Sequence, residues 1–491
     1  MSEYSSSVCK RNNHYIDSLL QCFDKTDHAE EKIELLELAA RIECNNVTGR
    51  LLDSRIEERI HDLSMNYREN CGAESNQHVL HILSRCYEKG GHTRLTKHVI
   101  EGDPDHVHSL CIVHPYHVTI PEWLESAVKS SGGRVFLIEE ADREKKIRKI
   151  VGLLRQFSTA YCYFHPWDVV SAIAVAARSA SCTAYFYNHT DHMFNVGCTA
   201  CDYILDMSEE GAFITNNYRH PGKSVVLPIP IDLRIADAKK NRTLIRKEYN
   251  IPLDAKVVLS IATEEKYKVN DLYSFDSFME ALLSHPEVVI VLVGPNPQKK
   301  RWEAYKKKYG NRVVLTGILN KEDYERIFSV ADCYVDSFPM DSATCTLDAL
   351  MHGLPAFSLR IPEAYVDEIS EIKCDSVDDV TEHVLMALNG SVSYNIDRLL
   401  NGVEKGHCEP YWGNKLRAIY NDPKACITCG HASFDINDYY NYMENVFVGK
   451  HFILKRDDVR NLKRTVLFQL VGILKLDFMG GLLRSAITLF R

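Results

Sequence analysis

The sequence predicts an α/β protein with two parallel sheets, each covered by helices on both faces. Short apolar runs alternate with amphipathic segments from Gln77 onward, and a second alternation of the same kind follows, until the chain becomes mostly helical after Asp375. A proline-punctuated segment, PIPID, separates the two. Repeated βα alternation produces a parallel sheet with crossover helices. Each half has roughly the size of a Rossmann-like domain.

The first half contains seven apolar runs with the length and composition of buried strands. In chain order they are HVLHILS, SLCIVH, RVFLIEE, AYCYFH, TAYFYNH, YILDMS and SVVLPI. Amphipathic segments between them predict helices: IPEWLESAVKSS, ADREKKIRKIVGLLRQF and DVVSAIAVAARSA. Apolar residues recur there at helical spacing, so one face of each helix can cover the sheet.

The second half contains five predicted strands: VVLSIA, VVIVLVG, RVVLTG, CYVDSF and PAFSL. Helices are predicted at residues 272–283, 301–309, 321–330 and 346–351. The predicted domains are a helical N-terminal appendage at 1–75, Rossmann-like domains at 76–228 and 229–390, and a mostly helical extension at 391–491. In the appendage, IELLELAARI has helical spacing and suits either intramolecular packing or dimerisation.

Composition narrows the class of protein. The chain has 491 residues, 45% of them hydrophobic and 25% charged, which is ordinary for a globular protein with more than one core. A net charge of −9 argues against nucleic acid as a partner. The N-terminus shows no secretory signal, so a cytoplasmic location with reduced thiols is expected.

The stretch VDSFPMDSATCTLDALMHGLPAF is the strongest functional signal. It predicts a strand end, a loop of small hydroxyl residues, a helix, a turn and a new strand. The main-chain N–H groups at the start of a helix attract anions, so Ser342, Thr344, Cys345 and Thr346 are candidate phosphate-binding residues. Asp348, one turn further, can accept hydrogen bonds from vicinal sugar hydroxyls. The alternative is a well-capped helix between buried strands.

Two other strand ends in the second half carry candidate residues. Lys266 and Lys268 follow the first strand, where a cation can offset charge on a departing nucleotide diphosphate. Gly317 and Ile318 follow the third strand and can frame a base. The alternatives are solvated lysines and an ordinary turn.

Strand ends in the first half carry glycines and imidazoles. Gly90, Gly91 and His92 form a candidate substrate loop, for which a plain turn is the alternative.

After the fifth strand, His189, Asp191 and His192 are candidates for general-base chemistry, since imidazole titrates near neutrality. His165 is a weaker candidate of the same kind. Structural hydrogen bonding of polar loop residues is the alternative.

Two C-terminal features leave alternatives open. Cys426 and Cys429 form a C-x2-C pair that, with Cys408 and His431, suggests zinc, but the second pair is poorly spaced. The apolar tail from Arg464 suits a helix buried against the protein or one lying on a membrane surface.

These residues resemble a known family. Two αβ halves, the Gly-Gly loop, Lys268 and SATCTLDALMHGLPAF look like a nucleotide-sugar-dependent glycosyltransferase of the GT-B fold, in which two domains face a cleft. LDALMHGLPA resembles the second half of the Glu-x7-Glu motif of the glycosyltransferase group 1 family, with Met340 in place of the first Glu. The TCTLD version is similar to O-linked N-acetylglucosamine transferases and bacterial adhesin glycosyltransferases.

The resemblance implies a metal-independent transferase of a hexose or N-acetylhexosamine, with a UDP-sugar as co-substrate and no cofactor. It places Thr344 at the diphosphate, Asp348 at the ribose and Lys268 at the leaving group. The acceptor would be a glycan, a protein or a lipid-linked glycan. The alternatives are a non-catalytic nucleotide-sugar-binding or scaffold protein, partnered through the N-terminal helices, and a sugar-nucleotide epimerase of the same fold. Stereochemistry stays open.

Overall fold

The computed structural model describes residues 5–68, 78–88, 91–116, 119–232, 241–362, 367–431, 434–455, 458 and 462–475. The chain divides into two compact units. Unit 1 contains the chain up to Leu227, Leu416–Glu444 and the residues from Val448 onward. Unit 2 contains Pro228–Lys415 and Asn445–Phe447.

Unit 1 begins with three helices, α1 (Ser7–Lys25), α2 (Ala29–Asn45) and α3 (Ser54–Ser64). Their apolar residues share one core with the helices that cover the sheet of unit 1. The buried carboxylate of Glu57 accepts hydrogen bonds from the main-chain N–H of Gly197, at 2.7 Å, and of Thr199, at 3.2 Å. These contacts agree with intramolecular packing of the N-terminal helices. Oligomerisation through the same helices stays a prediction.

The sheet of unit 1 has seven parallel strands in the order β3-β2-β1-β4-β5-β6-β7. They are β1 (His78–Leu83), β2 (Val107–Ile112), β3 (Val135–Leu137), β4 (Thr159–Tyr163), β5 (Thr183–Tyr187), β6 (Tyr203–Asp206) and β7 (Ser224–Val226). All seven predicted strands are present. The helices between them are α4 (Gly91–Gly102), α5 (Glu122–Ser130), α6 (Arg143–Leu154), α7 (Val169–Ala176) and α8 (Glu209–Tyr218).

The sheet of unit 2 has six parallel strands in the order β10-β9-β8-β11-β12-β13. They are β8 (Lys256–Ile261), β9 (Val288–Val293), β10 (Val313–Gly317), β11 (Cys333–Val335), β12 (Ala356–Leu359) and β13 (Lys373–Cys374). The five predicted strands are present, and β13 is an addition. A two-residue strand carries no periodicity that a sequence pattern could reveal.

The remaining helices lie in unit 2 and in the C-terminal part of unit 1. They are α9 (Arg242–Glu248), α10 (Phe275–Leu283), α11 (Lys300–Tyr309), α12 (Lys321–Ile327), α13 (Ala343–Met351), α14 (Val377–Leu388), α15 (Ile396–His407), α16 (Tyr411–Asn421), α17 (Ile436–Tyr442) and α18 (Arg464–Lys475). The fold class is therefore the predicted one, two parallel α/β sheets with helices added at both ends of the chain.

The C-terminal helix α18 belongs to unit 1. Val466, Leu470 and Leu474 lie in the same core as the N-terminal helices. This burial favours the buried-helix alternative for the first part of the tail, while residues 476–491 lie outside the described ranges. Among the helices that the structure describes, none combines the length and hydropathy needed to cross a membrane.

Each sheet reverses its winding direction at one point. In unit 1 the chain winds outward from β1 to β3 and then from β4 to β7, so the reversal lies between β1 and β4. In unit 2 it lies between β8 and β11. Ligands of open α/β sheets bind outside the carboxyl ends of the strands at such a switch point. The loops after these four strands are therefore where a site is expected.

Candidate functional site

A buried carboxylate organises the loop that follows β11. Asp336 Oδ1 accepts hydrogen bonds from the main-chain N–H of Ser337, at 2.7 Å, and of Ser342, at 2.8 Å. Its Oδ2 accepts one from Thr346 Oγ1 at 2.7 Å. Burial, with the nearby Asp341, raises the pKa of Asp336 to about 6. The loop thus closes around one carboxylate, which determines where α13 begins.

The start of α13 has the properties of an anion site. Ser342 is its N-cap residue, and its side chain does not cap the helix. The N–H groups of Cys345 and Thr346 turn back to the carbonyl of Ser342, at 2.7 and 3.3 Å. Those of Ala343 and Thr344 remain at the open end, where helix geometry provides no intrahelical acceptor. They are the groups that would face an anion.

The predicted hydroxyl residues differ in what they can offer a ligand. Thr344 is half-buried in the first turn of α13. Thr346 is fully buried, and its hydroxyl donates to Asp336. Thr346 therefore supports the loop from inside, whereas Thr344 lies where a ligand can reach it.

A lysine joins the loop after β8 to the loop after β11. Lys266 Nζ donates to the main-chain carbonyl of Asp341, and the N–H of Met340 lies 3.5 Å from the carbonyl of Lys266. Lys268 is exposed just past the short 3₁₀ turn Glu264–Tyr267, and partial burial of its ammonium lowers its pKa. Lys266 thus binds the loop after β11, whereas the side chain of Lys268 is exposed.

The loops after β8, β9 and β10 pack closely together. Gly294 has a φ of +109°, and a Cβ there would lie 2.0 Å from the carbonyl oxygen of Ala262, so glycine is required. Its N–H donates to the carbonyl of Gly317 at 2.8 Å. Ile318, next in the chain, is 69% exposed. This exposed apolar side chain beside backbone groups is compatible with the predicted role in framing a base.

Asp348 lies beneath the start of α13 and has a partner that the sequence did not reveal. It is 3% exposed, and its Oδ2 accepts a hydrogen bond from Tyr324 Oη at 2.6 Å. Burial raises the pKa of Tyr324, so the phenol stays protonated and acts as a donor. Tyr324 Oη also lies 3.8 Å from the sulfur of Cys345, which is half-buried.

A second residue missed by sequence reasoning is Lys373, the first residue of β13. Its buried ammonium lies 2.7 Å from Asp341 Oδ2 and 3.2 Å from Ser358 Oγ. Asp341 directly follows Met340, which occupies the first Glu position of the resembled motif. Tyr324 and Lys373 come from distant segments, so no local pattern connects them with the loop.

In unit 1, imidazoles collect at the carboxyl ends of β1, β4 and β5. The ring of His92 lies 5.5 Å from that of His165 and 5.2 Å from that of His189, centroid to centroid. Burial, together with the neighbouring imidazole, lowers the pKa of His165 to about 3. Burial also lowers the pKa values of His92 and His189. The cluster is therefore neutral at physiological pH.

The predicted substrate loop is only partly described. Gly90 lies outside the described residues. Gly91 begins α4, and a Cβ there would meet nothing within 4 Å, so its own surroundings do not demand glycine. His92 Nε2 lies 2.9 Å from the main-chain carbonyl of Arg85. His92 thus ties the two ends of this loop together.

Two imidazole–carboxylate pairs lie at the same end of the unit 1 sheet. His192 Nδ1 is 3.4 Å from Asp191 Oδ1, and the His192 side chain is 24% exposed. His114 Nε2 is 3.4 Å from Asp168 Oδ1. Sequence reasoning found the first pair because its residues are adjacent. It missed the second, whose residues follow β2 and β4.

Asp168 is the N-cap residue of α7 and is fully buried. Ser84 Oγ donates to it at 2.5 Å and Ser171 Oγ at 2.7 Å. Burial opposes its ionisation, but His114 and these hydrogen bonds outweigh burial and lower the pKa of Asp168. Asp168 is thus an ionised carboxylate held beside an imidazole.

The cysteines suggested as zinc ligands do not form one cluster. Cys408 lies in unit 2, whereas Cys426, Cys429 and His431 lie in unit 1. Within the described ranges, the ligand-type side chains that do lie together are in unit 2 and include none of these four. The cysteines that the structure describes are free thiols.

No protein-family model matches the chain, and no curated protein matches it in sequence. Solved structures do match its fold. Anabaena HepE in complex with UDP and glucose is 12% identical, covers 70% of this chain and 99% of its own, and has a TM-score of 0.54. A glycosyltransferase from Rickettsia africae is 13% identical, covers 71% and 99%, and has a TM-score of 0.54. Sucrose-phosphate synthase from Thermosynechococcus elongatus is 12% identical, covers 71% and 99%, and has a TM-score of 0.50.

Identities this low establish the fold alone. The fold is the GT-B fold of glycosyltransferases, as predicted. A fold of this kind serves several activities, so the activity of this chain has to be argued from its own residues.

Proposed function

We propose that this protein transfers a sugar from a nucleotide diphosphate donor, with UDP as the carrier, to an acceptor. The observation that carries the proposal is the start of α13. Its open N–H groups lie on a loop organised by Asp336 and tied to Lys266, at the switch point of a GT-B sheet. Those groups suit the diphosphate of such a donor.

Lys268 is proposed to offset the charge that develops on the departing nucleotide diphosphate. It is exposed at the carboxyl end of β8, and partial burial of its ammonium lowers its pKa. Charged donors aimed at the developing charge supply much of the rate enhancement in group transfer. Lysine and a helix N-terminus together can serve in place of a metal ion in this role.

Asp348 is proposed to bind the ribose hydroxyls, with Gly317 and Ile318 at the base. Tyr324 holds one oxygen of Asp348 and so orients the carboxylate. UDP as the carrier is supported by two structures with the same fold, those of Anabaena HepE with UDP and glucose and with UDP-glucose.

The acceptor-side base is proposed to come from unit 1. His192 is the best placed of the predicted residues, because it is partly exposed and lies beside Asp191. His189 is less suited, since burial lowers its pKa and so makes this imidazole a weaker proton acceptor. His114, beside the ionised Asp168, is the competing candidate. The acceptor class remains glycan, protein or lipid-linked glycan.

A first experiment measures thermal stabilisation by UDP, GDP and ADP, since a ligand that binds only the folded state raises its apparent stability. UDP alone is expected to stabilise the protein. A second incubates labelled UDP-sugars with candidate acceptors and compares Lys268→Ala and Asp348→Ala with Lys307→Ala, an exposed lysine on α11. Unchanged donor turnover in both site variants would show that the site assignment is wrong.

A binding protein without transfer activity is the second candidate. Met340 stands where the resembled group 1 motif has a carboxylate, so one anchor for sugar hydroxyls is missing. Stabilisation by UDP without turnover of any donor, in the presence or absence of acceptors, would favour this candidate. Release of free sugar without an acceptor would favour the epimerase alternative.

A further inference from the structure

A group of three metal-ligating side chains lies at the edge of the unit 2 sheet. Cys374 is the last residue of the edge strand β13. Ser376 caps α14, its Oγ accepting a hydrogen bond from the N–H of Asp379 at 3.0 Å. Asp379 and His383 follow one helical turn apart and share one face of α14. The cap thus places the first turn of α14 directly against the end of the strand.

The ligand atoms of this group are close to one another. The sulfur of Cys374, a carboxylate oxygen of Asp379 and an imidazole nitrogen of His383 all lie within 4.8 Å of each other. His383 Nδ1 is 2.9 Å from the main-chain carbonyl of Asp379, and the N–H of Asp375 donates to Asp379 Oδ2 at 2.9 Å. Such surrounding hydrogen bonds orient metal ligands. Cys374 is buried, while the other two side chains are half-buried and reachable from solvent.

We propose that Cys374, Asp379 and His383 bind a zinc ion. Sulfur, imidazole and carboxylate are the donor types that zinc accepts, and a thiolate selects against magnesium and calcium. Three protein ligands leave a fourth position for water. The site lies outside the proposed donor-binding residues, so the proposal does not concern the chemistry of sugar transfer.

The consequence of zinc binding follows from how short β13 is. Two residue pairs align it with β12, Ser358 with Lys373 and Leu359 with Cys374, and the N–H of Arg360 donates to the carbonyl of Cys374 at 2.7 Å. Lys373 and Cys374 are neighbours on a strand, so their side chains point to opposite faces. A metal bond from Cys374 to α14 would hold β13 in register and thereby hold Lys373 on Asp341. This consequence for the donor loop rests on the proposed function, whereas the metal site does not.

The test is a metal-binding measurement on the full chain without nucleotide. After chelation and dialysis, Zn²⁺ is titrated calorimetrically, and Co²⁺ is added to follow the thiolate-to-cobalt charge-transfer absorption. One tight site per chain is expected. Cys374→Ser and His383→Gln are each expected to weaken zinc binding on the order of 100-fold and to remove the cobalt band or reduce it strongly.

The matched control is the double variant Cys426→Ser/Cys429→Ser, which removes the C-x2-C pair. It is expected to keep both the affinity and the cobalt band. Loss of tight binding in this variant, with binding retained in Cys374→Ser, would overturn the proposal, and so would the absence of tight zinc binding in the wild type. His383 is half-buried on a helix surface, so His383→Gln keeps the test decisive if Cys374→Ser does not fold.

Discussion

The switch points of the two sheets have the same topology but different chemistry. In unit 2 the loops after β8 and β11 bring together an inward-facing carboxylate, two lysines and the open end of a helix. In unit 1 the loops after β1 and β4, with the loop after β5, bring together neutral imidazoles and two imidazole–carboxylate pairs. The first collection suits an anion, and the second suits movement of a proton.

The difference between the two switch points shows how burial limits what a polar side chain at a strand end can do. Asp336 is buried with three donors and serves the backbone, so it shapes a loop and does not face a ligand. His192 keeps part of its ring exposed beside a carboxylate, so it can reach a substrate. Whether a polar side chain at a strand end can face a ligand thus depends on whether its hydrogen bonds are already satisfied within the protein.

The largest effect is expected at Asp336, because the unit 2 loop depends on it. Asp336→Ala leaves two main-chain N–H groups and one buried hydroxyl without their acceptor, which costs about 3 kcal/mol of stability. Donor turnover is expected to fall by roughly 1000-fold, since the start of α13 would no longer be held in place. Calorimetric unfolding and donor turnover, with the exposed Asp254→Ala as the control, measure both effects. Full turnover in Asp336→Ala would show that this loop is not the donor site.

The next effect separates the two lysines of unit 2. Lys268→Ala is expected to lower kcat on the order of 100-fold with a smaller change in UDP affinity, because the ammonium acts on charge that develops during transfer. Lys266→Ala removes a contact to the Asp341 carbonyl and is expected to weaken UDP binding as well. Steady-state kinetics with a UDP binding assay distinguish the two patterns. Equal losses in kcat and affinity for Lys268→Ala would contradict its assigned role.

A third effect distinguishes the imidazoles of unit 1. His192→Ala is expected to lower kcat/KM on the order of 100-fold and to abolish its decline at acid pH, because a general base must be deprotonated to act. His189→Ala should change activity much less, since burial lowers the pKa of this imidazole and it packs against His92. The pH profiles of both variants and of His114→Ala give the measurement. If only His114→Ala alters the acid limb, the base is His114.

The smallest effect concerns buried carboxylates that do not face a ligand. Burial raises the pKa of Asp206 in unit 1 to about 7, although Asn188, Thr215 and Ser224 donate hydrogen bonds to it. The folded state then binds more protons than the unfolded state, so stability falls as pH rises through this pKa. Between pH 6 and pH 8, ionisation of Asp206 lowers the free energy of unfolding by about 1.4 kcal/mol.

Asp206→Asn cannot ionise and is expected to lose that part of the pH dependence. Chemical denaturation of the wild type and the variant at pH 6 and pH 8 makes the comparison, and other buried carboxylates such as Glu43 affect both proteins alike. An unchanged difference between the two pH values in the variant would show that Asp206 does not titrate in this range.

The sequence named those residues of the proposed unit 2 site that lie on one segment. Ser342, Thr344 and Asp348 could be named because a strand, a hydroxyl-rich loop and a helix follow one another within a short stretch. It did not reveal Tyr324 or Lys373, which approach the loop from α12 and β13. In unit 1 it likewise found His192 with Asp191, which are adjacent, and missed His114 with Asp168.

The architecture could be predicted from local patterns, because hydrophobic periodicity records which faces of strands and helices are buried. The predicted starts of α11 and α12 lie within one residue of the observed ones, whereas those of α10 and α13 are three residues away. The pairing of polar groups, and the role of Asp336 in supporting a loop, became visible only in the folded chain. These properties depend on distances between segments remote in sequence, and no local pattern encodes those distances.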